Sequence, residues 1–170
     1  MSKLSGIRVV DLSLFLPGPM MTSMLADHGA EIIKIEPPGG DPARQMEPFE
    51  EGQSVWFRNI NRGKQSVVLD LKQKDNLQKL YRLVEESDIF VEAFRPGVAN
   101  RLKIDYETLS AINPRIIYCS ISAFGQDGPL AHHPAHDLAV EAFAGFMSVN
   151  DKGDGEPVVP AFPAADASAS

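Results

Sequence analysis

The chain has a single cysteine, Cys119, in 170 residues. An internal disulfide is excluded, and a reducing compartment fits that usage. No stretch approaches the roughly 20 apolar residues that span a bilayer. The opening MSKLSGIRVVDL carries one early lysine, and Asp11 interrupts its apolar run within a few residues. It reads as a first strand and not as a signal peptide, so a cytoplasmic protein without a membrane partner is expected. Basic charge is scarce: the net charge is −7, which argues against broad nucleic-acid binding, since that needs a cationic surface. A local basic patch for a phosphorylated ligand stays open. Internal repeats and low-complexity blocks are absent.

What is present is the composition of one soluble domain, 44% apolar and 23% charged, long enough to bury a real core. Short Val- and Ile-rich runs alternate with helix-length segments. Strands are expected at 7–10, 31–36, 66–71, 89–92 and 116–121, and helices at 19–28, 74–86, 106–112 and 137–149. In the second helix Leu77, Leu80, Tyr81 and Val84 recur at spacings of three and four, an amphipathic stripe. Gly29 closes the first helix, while residues 37–52 hold too many breakers to be regular. Strands separated by helices indicate an α/β fold with a Rossmann-like, doubly wound, mostly parallel sheet.

Several motifs carry chemistry, each beside a plainer reading. No G-x-G-x-x-G follows the first strand; Pro17-Gly18-Pro19 stands there instead. It is either a rigid turn with a proline near the helix start or a helix N-terminus facing a ligand. Asn61-Arg62-Gly63-Lys64, Lys72, Arg95 and Arg101 lie at strand ends. Singly they are solvated surface charges; together they suit a ligand bearing several phosphates. The histidines of HHPAHD lack a helical H-x-x-x-H spacing and a cysteine partner, so no metal is expected. They are a surface loop, or His136 moves protons, histidine being the side chain that titrates near neutrality. Asp166 in PAFPAADASAS reads as a helix cap or first-turn acid, or as a nucleophile or base.

Read in order, the blocks GIRVVDLSLFLPGPMMTSMLADHGAEIIKIEPPGGDPAR, NRGKQSVVLDLK, DIFVEAFRPGVANRL, YETLSAINPRIIYCSISAFGQDGP, AHDLAVEAFAGFMSV and PAFPAADAS cover essentially the whole chain. This series resembles the family III CoA-transferases, the CaiB/BaiF type, which also includes α-methylacyl-CoA racemase. The resemblance implies a Rossmann-like large domain binding coenzyme A at its strand ends. Leu69 and Lys72 match positions contacting the adenine and phosphates. Ala93, Phe94 and Arg95 match the segment lining the nucleotide site, and Arg101 an arginine that pairs with phosphate. Leu16 and Pro17 match the turn that approaches the pantetheine arm, and Asp166 the family's catalytic aspartate. Leu14 and Pro37 depart from the pattern: many members carry an arginine at the first position, and some a basic residue at the second.

The resemblance also implies an acyl-CoA and a small carboxylic acid as substrates, and a homodimer that interlocks in full-length members. Members are much longer. The chain, residues 1–170, is therefore expected to be the N-terminal portion of the large domain, without the small second domain, and inactive unless the rest is supplied. Three activities remain open: CoA transfer through an aspartyl-CoA thioester, 2-methylacyl-CoA racemisation by a His136/Asp166 acid–base pair, and a non-catalytic CoA-binding module. His136-Asp137 favours the racemase branch; the Ala-Ser tail after Asp166, where racemases commonly have a glycine run, favours the transferase.

Overall fold

A computed structural model describes residues 2–149, 153 and 156–170. Five parallel strands form the central sheet: β1 (Arg8–Asp11), β2 (Glu31–Glu36), β5 (Gln65–Val68), β6 (Ile89–Glu92) and β7 (Ile117–Ser120). Their order is β5-β2-β1-β6-β7. The chain winds outward from β1 in one direction, then returns to lay β6 on its other side. That reversal opens a crevice beyond the carboxyl ends of β1 and β6, where open α/β sheets bind ligands.

Successive side chains of a strand point to opposite faces, and both faces here are covered. On one, Val10, Ile33, Ile35 and Phe90 pack with Leu80 and Val84 of α3 (Lys74–Glu85) and Leu109 of α5 (Tyr106–Ile112). On the other, Val9, Ile32 and Val91 meet Met21 and Leu25 of α1 (Pro17–Asp27). Leu80 and Val84 are fully buried, each contributing roughly 1.5–3 kcal/mol, as their spacing foretells. Gly29, at φ 94°, ends α1 in the left-handed conformation that glycine adopts freely.

The remaining elements are short. A 3₁₀ turn (Pro42–Gln45) precedes the two-residue strands β3 (Phe49–Glu50) and β4 (Gln53–Ser54), which pair antiparallel, and α2 (Val55–Ile60) follows. The segment expected to be irregular thus carries local order, set by Asp41 and Ser54, whose side chains cap the 3₁₀ turn and α2. After β6 come α4 (Val98–Leu102) and, past β7, α6 (Asp137–Phe143), α7 (Phe146–Val149) and α8 (Ala164–Ser168). The helix expected over 137–149 is split, because Gly145 takes φ 74°. The strand expected over 66–71 leaves the ladder after Val68, and Leu69 turns inward to the core. Among the described residues no helix is long and apolar enough to cross a membrane.

Candidate active site

Acidic residues end β1, β2 and β6, and one lies two residues past β5; each is used to fix a turn. Asp11 accepts the Ser13 N–H at 2.9 Å, Glu36 that of Asp41 at 2.8 Å, Asp70 that of Lys72 at 3.1 Å and Glu92 that of Phe94 at 2.7 Å. Carboxylates accepting backbone N–H groups pin the chain where the regular ladder stops. Two cavities open on the edge so built, and Phe94 lines both.

The smaller cavity, about 140 Å³, is walled by Leu12, Ile35, Pro37, Pro38, Leu69, Leu71, Phe94 and Leu102, with Glu36, Asp70 and Lys72 also in its lining. This apolar slot suits a flat heterocycle, and Lys72 at its rim offers a cation to phosphate. Glu36 adds no free negative charge there. Burial pushes its pKa up, but hydrogen bonds from Arg44, Ser66 and the Asp41 N–H outweigh that and hold it at about 2. Arg44 binds both Glu36 oxygens, at 2.6 and 2.8 Å, and stacks over Phe57. By contrast Lys72, Arg95 and Arg101 are exposed, and among the described residues no carboxylate pairs with their side chains.

The larger cavity, about 310 Å³, lies at the crevice. Leu14, Phe15 and Pro17 wall it after β1, Ala93 to Pro96 after β6, Ile121 to Phe124 after β7, and His133, His136 and Asp166 enter from the C-terminal third. Asp166 sits half-buried in the first turn of α8. The helix is seated by α6: Asp137 Oδ1 accepts the N–H groups of Ala165 and Asp166 at 2.9 and 3.0 Å, and Glu141 Oε1 that of Ala164 at 2.8 Å. The backbone donors that would stabilise the Asp166 carboxylate are thus spent on other carboxylates. Burial, then the Asp137 charge and, less, that of Glu141 raise its pKa, with His136 opposing. The result is a carboxylate more basic than usual. His136 precedes α6 and meets Phe15 edge-on at 6.2 Å.

The profile of CoA-transferase family III matches residues 4–170. The chain belongs to the family III CoA-transferases. It is 48% identical over 153 residues to the acetyl-CoA:oxalate CoA-transferase of Acetobacter aceti, covering 89% of this chain and 39% of that protein. To the succinate–glutarate CoA-transferase of Agrobacterium fabrum it is 42% identical over 163 residues, covering 91% and 41%. The crystal structure of a CaiB/BaiF family protein from Brucella suis superposes with a TM-score of 0.93 at 37% identity, over 98% of this chain and 45% of that one. The chain spans about two fifths of the length of the curated relatives it matches.

In this family III CoA-transferase chain, eight of the ten residues expected at the site line the two cavities: Leu69 and Lys72 the smaller, Pro17, Ala93, Arg95, His136 and Asp166 the larger, and Phe94 both. Leu16 does not line either cavity; its side chain packs with Ala43 and Ile60. Arg101 lies on α4 beside the cavity residue Leu102, at the surface. Sequence reasoning missed Phe15 as a wall, and the seating of α8 by Asp137 and Glu141. The second had a signal, two acids four apart on an expected helix. The first had none, since a phenylalanine at φ 62° follows no composition rule.

Proposed function

We propose that the protein transfers coenzyme A between an acyl-CoA and a small carboxylic acid, with Asp166 as nucleophile. The supporting observation is a half-buried, raised-pKa carboxylate in a cleft at the sheet's switch point, joined through Phe94 to an apolar, lysine-rimmed slot. The slot takes the adenine, with Leu69 and Phe94 against it and Lys72 and Arg101 on the phosphates. The pantetheine runs past Ala93, Arg95 and Pro17 to Asp166. Asp166 attacks the thioester carbonyl, and the C–S bond breaks to give a mixed anhydride and CoA thiolate. The thiolate attacks the aspartyl carbonyl, releasing the donor acid and leaving an aspartyl-CoA thioester. The acceptor carboxylate then displaces thiolate to form a second anhydride, whose acyl carbonyl the thiolate attacks, freeing Asp166. Covalent catalysis divides one difficult exchange into easier steps and keeps the thioester from hydrolysis.

The relatives named above act on oxalate, succinate and glutarate, and Arg95, His133 and His136 line the cleft. We read the acyl group as a short dicarboxylate, and the working protein as a homodimer whose remaining parts complete the cleft. Acceptor-dependent exchange of labelled CoA, with hydroxylamine trapping at Asp166 followed by mass spectrometry, tests the reading; exchange that survives Asp166→Ala sinks it.

A second reading rests on His136 and Asp166 lining one cavity. Placed on opposite sides of an α-carbon, they would remove and return its proton, as a racemase requires. Deuterium entering the α-carbon without any acceptor acid selects this branch. CoA binding by calorimetry with neither exchange nor wash-in selects a non-catalytic binding module.

A further inference from the structure

The turn that walls the larger cavity rests on buried charge. Asp11, fully buried at the end of β1, accepts from Thr22 Oγ1 at 2.6 Å and Lys64 Nζ at 3.1 Å, besides the Ser13 N–H. Lys64 Nζ also donates to the carbonyls of Pro19 at 2.8 Å and of the Asn61 side chain at 2.9 Å. Lys34, opposite Asp11 in the β1–β2 register, donates to the Ser13 carbonyl at 2.8 Å and pairs with Asp41 at 2.9 Å. The side chains of that pair are 1% and 0% exposed. Asp41 Oδ1 in turn accepts the N–H groups of Ala43, at 2.9 Å, and of Phe15, at 3.4 Å. Phe15 holds φ 62°, a conformation that non-glycine residues adopt only when surroundings impose it.

None of Asp11, Lys34, Asp41 or Lys64 lines either of the two cavities. Yet Asp41 ends the loop whose Pro37 and Pro38 wall the smaller cavity, while the Lys34 ammonium grips the turn that walls the larger one. One buried ion pair therefore ties the two walls together. Such a pair is a weak source of stability, because removing two charges from water offsets most of their attraction. What it supplies here is position.

We propose that Lys34 and Asp41 are positioning residues for the acyl-transfer step, holding the 13–19 turn so that the thioester is presented to Asp166. This rests on the reading of Asp166 as nucleophile. The test uses the native protein carrying Lys34→Met with Asp41→Leu, an apolar replacement of the pair. The expected result is a folded protein with a lowered melting temperature, since the apolar side chains no longer accept the Ala43 and Phe15 N–H groups or donate to the Ser13 carbonyl. CoA affinity should stay within about threefold, and the single-turnover rate of acyl transfer should fall at least about thirtyfold with KM little changed, the signature of an interaction needed in the transition state. Amide exchange should quicken at residues 13–16 and stay unchanged in β1 and β2. A rate within about threefold of wild type in the folded variant overturns the proposal, as does unchanged exchange at 13–16. Should that variant fail to fold, Lys34→Gln with Asp41→Asn is read against the same thresholds. Exchange reports on the turn without reference to Asp166, so failure of the nucleophile assignment shows separately, as transfer that persists in Asp166→Ala.

Discussion

Asp137 Oδ1 lies 3.0 Å from the backbone nitrogen of Asp166, so one acid holds the helix turn that presents another. The contact anchors the backbone of Asp166 while placing a like charge beside its side chain. Positioning and electrostatics act together through a single oxygen.

Asp166→Ala is expected to reduce CoA transfer by roughly a thousandfold or more, as loss of a covalent nucleophile does. Among the described residues the Asp166 carboxylate accepts no hydrogen bond and stands near Asp137 and Glu141, so thermal stability should hold or rise slightly. Steady-state exchange and a melting curve of the same preparation check both halves.

Asp137→Asn keeps the oxygen that accepts the two N–H groups and removes the charge. As the proposed nucleophile Asp166 would have to be ionised to attack, so the rate is expected to rise with pH through its elevated pKa. Removing the Asp137 charge lowers that pKa, and the acidic limb of the pH–rate profile should move to lower pH. A limb that stays put or moves upward contradicts the assignment.

Lys72→Ala and Arg101→Ala should each weaken CoA binding roughly tenfold or more, the worth of a charge-assisted phosphate contact. Neither should alter the melting temperature, for both side chains are exposed and, among the described residues, without a carboxylate partner. Calorimetry with dephospho-CoA identifies the 3′-phosphate contact: the substitution that loses its effect there is the one that binds it.

The Glu36–Arg44 pair predicts a component of acid sensitivity. The folded pKa of about 2 lies below the ordinary 4.5, so stability from this group is present above pH 4.5 and is lost as pH falls toward 2. Glu36→Gln should cost roughly 1.5–3 kcal/mol near neutrality. Its gap from wild type should narrow through that window in urea titrations.

Gly18→Ala should destabilise by about 1–3 kcal/mol, since an added Cβ would overlap the Ser13 side chain against which the start of α1 packs. Urea unfolding reads the loss, and a parallel fall in transfer rate is expected because the same turn walls the cleft.

The sheet was legible because buried parallel strands announce themselves as Val and Ile runs, as in EIIKIE, and α3 because its apolar positions keep a helical period. Asp166 stood out through its family motif. Less readable was anything set by distant charge. Lys34 looks like an exposed strand lysine until Asp41 is brought beside it, and Leu16 looks like a turn residue until Ala43 and Ile60 cover it. Short elements such as α2 and α4 depend on caps and glycine turns, whose effect is decided by neighbours and not by composition.

Phe94 forms part of both cavities, so in the proposed binding mode its ring would meet both the handle of the substrate and its reacting end. A thioester stripped back to pantetheine would leave half of that ring bare and forfeit the grip that steadies the reactive carbon. Shortened substrate mimics should then turn over slowly even at saturation, with the deficit in kcat as well as in apparent affinity.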